Sequence, residues 1–421
     1  MVKLKSRNPL RIAIFTAFYA PILSGVSIGV HQRIRWLLQQ GHHVFLAHPK
    51  IDHQYPEAIR NRSSIPGIAD FMSFSSFVSY AYPTKPLIFE KTAPEARHYR
   101  SWSDTKLLEE FQPDVVVVEE AVEMRGVCSL GLGGYGRAVG TEYAKRSRIP
   151  VISLFHTDWM SYAQSYIGAW FIPLIRRFIP PFVRQFARAY TMNFFPSRLM
   201  LHKYQDLGVD VAEYLPFQGI NCQKFTPENI SYDPIPEDSR FVLLYVGRLA
   251  QEKNVLQLLT AFSRIVVEIP EVHLVIVGTG PQESLLRQES QKLSPHAITV
   301  WGESTGTELY GWYARADLFL NPSLTENFCT TNMEALASGT PVVAADAGGN
   351  SEQIIPGRNG FLFRPNDPDD LANRAISILQ TPELRETMAQ EARSYALKFD
   401  WTECMKKFEE RIYQLTASKP S

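Results

Sequence analysis

The sequence is poor in cysteine and in long apolar runs, and it has no excess of charge of either sign. Four cysteines occur in 421 residues, Cys128, Cys222, Cys329 and Cys404, and no two form a C-x-x-C pair. Their wide spacing argues against a zinc site or a disulfide framework and suits a reducing compartment. No stretch reaches the roughly 18 uninterrupted apolar residues that a membrane-spanning helix needs. Lys3, Lys5, Arg7 and Arg11 precede the apolar run 12–19, as in a signal peptide. That run is too short to span, and no small-residue cleavage site follows it; a buried first strand explains it better. Lys plus Arg and Asp plus Glu balance at 43 each, so bulk charge points to no nucleic-acid partner.

The balance hides an asymmetry. Residues 1–215 carry 25 Lys and Arg against 17 Asp and Glu, and residues 216–421 carry 18 against 26. A basic front and an acidic back suit a surface that meets anionic lipid or an anionic substrate. With 45% hydrophobic and 20% charged residues the chain is globular, and its length suits two domains.

Both halves alternate strand-like and helix-like stretches. In the first, 12–19, 43–47, 114–118 and 151–155 read as strands, and 26–40 as a helix stopped by Gly41. Residues 50–105 read as irregular. In the second, 242–246, 272–277, 297–300, 318–320 and 342–344 read as strands, with helices at 254–268 and 282–291 and a terminal helix at 401–415. Continuous Val/Ile runs mark parallel strands covered on both faces. The prediction is an α/β protein of two open parallel-sheet domains, 1–215 and 216–395, with the terminal helix inside 396–421 crossing back to the first domain.

In such sheets ligands bind beyond the carboxyl ends of the strands. After strand 242–246 comes GRLAQEKN, where Gly247 turns the chain and Arg248 and Lys253 make a candidate phosphate clamp. After strand 272–277 comes GTGPQ, where Gly278 and Gly280 allow close backbone approach to a ligand. After strand 318–320, Glu326 and Glu334 lie eight apart. If Asn327 or Phe328 opens a helix, the spacing means about 12 Å of rise and about 80° of rotation. That is too far for a close catalytic dyad but suits holding two ends of an extended ligand. Glu326 would reach a sugar hydroxyl, Glu334 a ribose diol, and the backbone amides near Asn327 and Phe328 a diphosphate between them.

The stretch E-x7-E followed by ALASGTPVVAADAGG resembles the signature of glycosyltransferase family 4, of GT-B fold. GRLAQEKN, LVIVGTGP, GRNGFLFRPNDPDDLA at 357–372 and the terminal FDW helix fall where that family has them. The resemblance is dense over 240–415 and looser before it. It implies two Rossmann-like domains facing a cleft, with the donor on the second and the acceptor on the first. It further implies a retaining hexosyltransferase that uses a nucleotide diphosphate sugar, UDP-sugar ahead of GDP-sugar, with no metal and no other cofactor.

In the first half the family's Gly-rich loop reads YAPILSGVSIG, with Ser24–Gly25 where Gly–Gly is common; Gly25 still supplies the backbone approach. His156 follows strand 151–155, and the resemblance makes it a sugar contact, with Asp158 a secondary candidate. Glu119 and Glu120 end strand 114–118 as candidate acceptor contacts. Residues 159–205 hold six basic residues and no acidic one, among them Arg176, Arg177, Arg184 and Arg188, interleaved with aromatics. Two readings stand, an interfacial segment on anionic membrane and a core helix pair with a solvated basic face. The segment resembles that of family members glycosylating diacylglycerol or phosphatidylinositol, which implies a lipid acceptor. The expected place is cytoplasmic, peripheral on the membrane.

Two motifs read as decoys. GLGGYG at 131–136 matches GxGxxG but begins too far after its strand for a dinucleotide site. Asp367-Pro368-Asp369 matches a metal-binding DxD but reads as a helix cap. The alternatives to a lipid glycosyltransferase are a transferase acting on a soluble sugar or polysaccharide and a nucleotide-sugar epimerase of GT-B-like fold.

Overall fold

The computed structural model describes residues 8–16, 19, 25–50, 68–82, 84–86, 97–99, 105–119, 139–156, 158, 181, 183–185, 187–229, 240–294 and 296–418. The chain divides into two compact units. One holds the strands up to Phe217 together with Met405–Ser421, and the other contains Gln218–Cys404.

In the first unit β1 (Arg11–Thr16), α1 (Gly25–Gln39), β2 (His43–Pro49) and β3 (Phe77–Tyr82) come first. A short antiparallel pair, β4 (Thr84–Pro86) and β5 (Arg97–Tyr99), follows. Then come α2 (Lys106–Phe111), β6 (Val115–Glu119), α3 (Val139–Ser147), β7 (Val151–Leu154), β8 (Met192–Phe195), α4 (Arg198–Asp206) and β9 (Ala212–Tyr214). Seven strands form one parallel sheet in the order β3-β2-β1-β6-β7-β8-β9. The stretch expected to be irregular thus supplies β3, which pairs with β2 from Val44 opposite Phe77 to Pro49 opposite Tyr82. An edge strand carries its ladder on one side only. Its mixed FVSYAY pattern, with exposed Val78, Ser79 and Ala81 between aromatics, hid it among the surrounding Ser and Pro. Gly41 stops α1 as expected: it takes φ 92°, and its amide donates to Leu38 while that of His42 donates to Leu37.

The second unit runs β10 (Phe241–Val246), a 3₁₀ turn at Gln251–Lys253, α5 (Leu256–Glu268), β11 (Val272–Val277), α6 (Glu283–Leu293) and β12 (Ile298–Gly302). It continues through α7 (Gly306–Arg315), β13 (Leu318–Asn321), α8 (Thr330–Ala337), β14 (Val342–Ala345), α9 (Asn350–Gln353) and β15 (Gly360–Phe363). α10 (Pro368–Leu379), α11 (Pro382–Ala396) and α12 (Trp401–Ala417) close the chain. The parallel sheet has the order β12-β11-β10-β13-β14-β15, which reverses between β10 and β13. Alternation sorts its core. Leu243 and Tyr245 face a layer with Leu258 and Phe262 of α5 and Ile376 of α10. Val242 and Leu244 face Trp312 of α7, Met333 of α8 and Ala392 of α11. Each fully buried aliphatic side chain contributes about 1.5–3 kcal/mol, so both faces must be covered for the sheet to persist. Asp367 caps α10, accepting from the Asp370 amide, with Pro368 as the first helical residue; the apparent DxD is that cap.

α12 begins in the second unit and belongs to the first from Met405 onward. Within the first unit, Glu409 is buried and accepts from Trp36 Nε1 at 2.8 Å, and Arg411 pairs with Glu213 at 2.8 Å. Among the described residues no helix is long and apolar enough to cross a membrane.

Candidate active site

In an open parallel sheet, the strands that flank the reversal of order leave a crevice beyond their carboxyl ends. In the second unit those strands are β10 and β13, and their loops carry Arg248, Lys253 and Glu326. The structure joins two of these directly. Lys253 Nζ donates to Glu326 Oε1 at 2.6 Å, across 73 residues of sequence. Burial alone would push the ammonium down, but Glu326 outweighs it and holds Lys253 above the usual lysine range. Arg248 pairs with Glu252, whose side chain is buried, while its own is 38% exposed. Sequence reasoning missed Glu252. The candidate clamp is therefore two cations, each with a carboxylate partner, and Lys253 ends a 3₁₀ turn that leads into α5, the helix expected after it.

The helix after β13 starts later than expected. α8 opens at Thr330, with extended Cys329 ahead of it, so Asn327 and Phe328 lie in the loop. The reason is a tight backbone contact: the Gly349 amide donates to Glu326 O at 2.6 Å. A Cβ on Gly348 would fall 2.4 Å from Glu326 O, and one on Gly349 would fall 1.9 Å from Asn327 O. The glycine pair at 348–349 thus holds the Glu326 loop; the run of two glycines was the available signal. Beneath it lies a cluster of buried amides. Asn321 Nδ2 donates to Asn332 Oδ1 at 2.8 Å, Asn332 Nδ2 donates to Asn350 Oδ1 at 2.9 Å, and Asn350 Nδ2 donates to Ser323 O at 3.1 Å. Buried amides satisfied in this way specify one loop path.

Glu334 lies within α8 and accepts from Tyr313 Oη at 2.7 Å. Burial pushes its carboxyl up to about 7, and the tyrosine bond only partly offsets that. No signal in the sequence pointed to Tyr313. Gly278 and Gly280 have a structural reason to be glycine. Gly278 takes φ 141°, and a Cβ there would fall 1.9 Å from Gly247 O; one on Gly280 would fall 2.4 Å from Leu249 O. The close approach these glycines permit in this structure is to the β10 loop. Tyr245 Oη donates to Arg248 O at 3.1 Å and supports the same loop.

In the first unit Gly25 opens α1, with open space where its Cβ would be. His156 lies just beyond β7, and its Nε2 is 2.6 Å from Glu119 Oε2 at the end of β6. Glu119 is no exposed acceptor contact, because its side chain has no exposure at all. Arg33 of α1, equally buried, donates from Nε to Glu119 Oε1 at 2.7 Å. Burial alone would raise the Glu119 carboxyl, but Arg33 and then His156 bring it down to about 2. Asp158 pairs with Lys203. Glu120, the GLGGYG stretch, Arg176 and Arg177 lie outside the described residues; Arg184 and Arg188 are described and exposed.

The profile of the glycosyl transferases group 1 matches residues 228–395. An alpha-monoglucosyldiacylglycerol synthase of Acholeplasma laidlawii is 28% identical over 407 residues, covering 91% of this chain and 92% of its own. A GDP-mannose-dependent alpha-mannosyltransferase of Mycobacterium tuberculosis is 29% identical over 395 residues, 93% of each chain. The sulfoquinovosyl transferase SQD2 of Arabidopsis thaliana is 29% identical over 64% of this chain, which spans 53% of that protein's length. Among solved structures, Anabaena HepE in complex with UDP superposes with a TM-score of 0.68 at 16% identity, over 96% of this chain and 99% of that one. The motif-bearing loops at the β10–β13 reversal, the two parallel-sheet units and these likenesses agree: residues 228–395 are a group 1 glycosyl transferase domain, and the chain is a glycosyltransferase of GT-B fold.

Proposed function

We propose that this glycosyltransferase moves a sugar, with retention at the anomeric carbon, from a nucleotide diphosphate sugar to a membrane lipid. The observation that carries the donor half is the pairing of Lys253 with Glu326 beside Arg248 at the reversal of the second sheet. In this reading the incoming diphosphate draws Arg248 and Lys253 to its oxygens and frees Glu326 for a sugar hydroxyl. Positive charge held in place before the reaction stabilises the leaving diphosphate as the anomeric carbon becomes oxocarbenium-like. Glu334 accepts from the ribose, Asn327 and Phe328 offer backbone amides, and Gly25, Gly247, Gly278 and Gly280 let the loops close on the donor. His156 contacts the sugar. Support for a lipid acceptor comes from the diacylglycerol-glucosylating relative, matched over nearly the whole chain, and from the run of basic residues at 159–205 that suits an anionic membrane surface.

The neighbour solved with UDP supports a uridine donor, and the GDP-mannose-dependent relatives make guanosine donors the comparison to run. A panel of UDP- and GDP-sugars with anionic and neutral lipid vesicles tests the whole reading. Expected is labelled sugar in the organic phase with free nucleotide diphosphate released. Diphosphate release with label only in water moves the acceptor to a soluble sugar. Donor interconversion without release favours an epimerase. In the same assay Arg248→Ala is expected to lose about 100-fold or more in kcat with the fold intact; unchanged turnover removes Arg248 from the phosphate site.

A further inference from the structure

The buried trio Arg33–Glu119–His156 brings together residues far apart in sequence at the carboxyl ends of adjacent strands. β6 and β7 pair in parallel with Glu119 opposite Leu154, two residues before His156. The imidazole is 1% exposed and lies 2.6 Å from a carboxylate that is itself fully buried. An ionised carboxylate only accepts hydrogen bonds, so the ring nitrogen facing it carries the proton. The Phe217 ring meets the imidazole edge-on at 5.1 Å and limits its rotation.

Glu119 is in turn held by a guanidinium with no solvent exposure. Besides the 2.7 Å bond to Oε1, Arg33 Nη2 lies 3.4 Å from Oε2, and Nη1 donates to Phe217 O at 3.1 Å. The Phe408 ring lies under the guanidinium at 4.7 Å. A buried ion pair is a poor device for stability alone, since apolar side chains of like volume serve as well or better. Its use here is orientation.

We propose that Glu119 is a positioning residue for His156, fixing the imidazole in the Nε2–H form and in one rotamer, with Arg33 keeping Glu119 in place. The proposal rests on the reading of His156 as a sugar contact. A histidine with an oriented ring presents a defined nitrogen to a ligand; one free to flip presents a mixture and spends part of its population misaligned.

The test uses the full chain with histidine labelled by nitrogen-15, and compares Glu119→Gln, the charge-neutral pair Arg33→Met with Glu119→Gln, and His156→Ala. Imidazole spectra report the tautomer without any ligand, and turnover of UDP-glucose with diacylglycerol vesicles, or of whichever donor the panel selects, reports kcat and KM. Expected for Glu119→Gln is loss of the single Nε2–H signature of His156 and a fall in kcat of about 10- to 100-fold. The donor KM should stay within about threefold, because the diphosphate clamp is elsewhere. If Glu119→Gln fails to fold, the neutral pair decides by the same two readouts. A folded variant with the His156 tautomer unchanged, or with wild-type kcat, overturns the proposal. His156→Ala separates the two levels: wild-type turnover there removes the underlying role of His156, whereas a collapse there beside an active Glu119 variant removes only the positioning role.

Discussion

Two buried carboxylates, one in each unit, are driven in opposite directions. Glu119 has a guanidinium and an imidazole against it and is held down to about 2. Glu334 has, among the described residues, a neutral phenol against it and is pushed up to about 7. Burial raises both; the partner decides the outcome. The lesson concerns division of labour. A carboxylate that must stay charged to hold other side chains is given permanent positive charge. Glu334, proposed above to accept from the ribose, is left under-compensated, which suits a shell that a ligand completes.

The largest effect should come from breaking the Glu119 side. Arg33→Ala leaves a buried carboxylate without its main counter-charge and is expected to cost about 3–5 kcal/mol, read by urea unfolding at pH 7. A loss under 1 kcal/mol would mean the first unit relaxes to admit water. Next comes the pH dependence that separates the pair. Glu119, depressed in the folded state, contributes stability that is present above the ordinary carboxylate value and is lost as pH falls through about 2. Glu334, raised in the folded state, contributes in the reverse sense: its stabilisation is full below the ordinary value and is lost as pH rises through about 7. Unfolding measured from pH 4.5 to 8 in wild type and Glu334→Gln should show the variant gaining on wild type as pH rises toward about 7 and holding that gain above it. Parallel curves would place the titration elsewhere. With the proposed ribose hydroxyl donating to the ionised form, donor affinity should strengthen over the same range in wild type and not in the variant. The smallest effect is expected for Tyr313→Phe. Removing the hydroxyl that favours the charged form should move the Glu334 transition higher and cost about 1 kcal/mol at pH 8, read in the same series.

The sequence carried different amounts of information about the two units. The runs VVVV, FVLLYV and VHLVIV fall in β6, β10 and β11 to within a residue, because strands covered on both faces need continuous apolar side chains. β3 escaped because an edge strand is half exposed and breaks that pattern. The loops after β10 and β13 were legible as candidate sites, since parallel sheets put their functional loops at one end. What each side chain meets there was not. Nothing near Lys253 in the chain points to Glu326, and nothing near Glu119 points to Arg33, 86 residues before it. The expected start of a helix at Asn327 or Phe328 failed for the same reason: helix propensity is local, but the contact of Gly349 with Glu326 O comes from another strand's loop.

Local chemistry along the chain sets the alternation of strands and helices, two large parallel sheets rather than one, and the order of the motifs. These follow from side-chain hydrophobicity and from the backbone preferences of glycine and proline, which act over a few residues. Packing alone fixes which cation pairs with which carboxylate, why Gly278 and Gly280 must lack a Cβ, and in which direction each buried acid is shifted. Those outcomes depend on distances of a few ångströms between residues tens of positions apart, and the electrostatic environment is set by everything that folds around them.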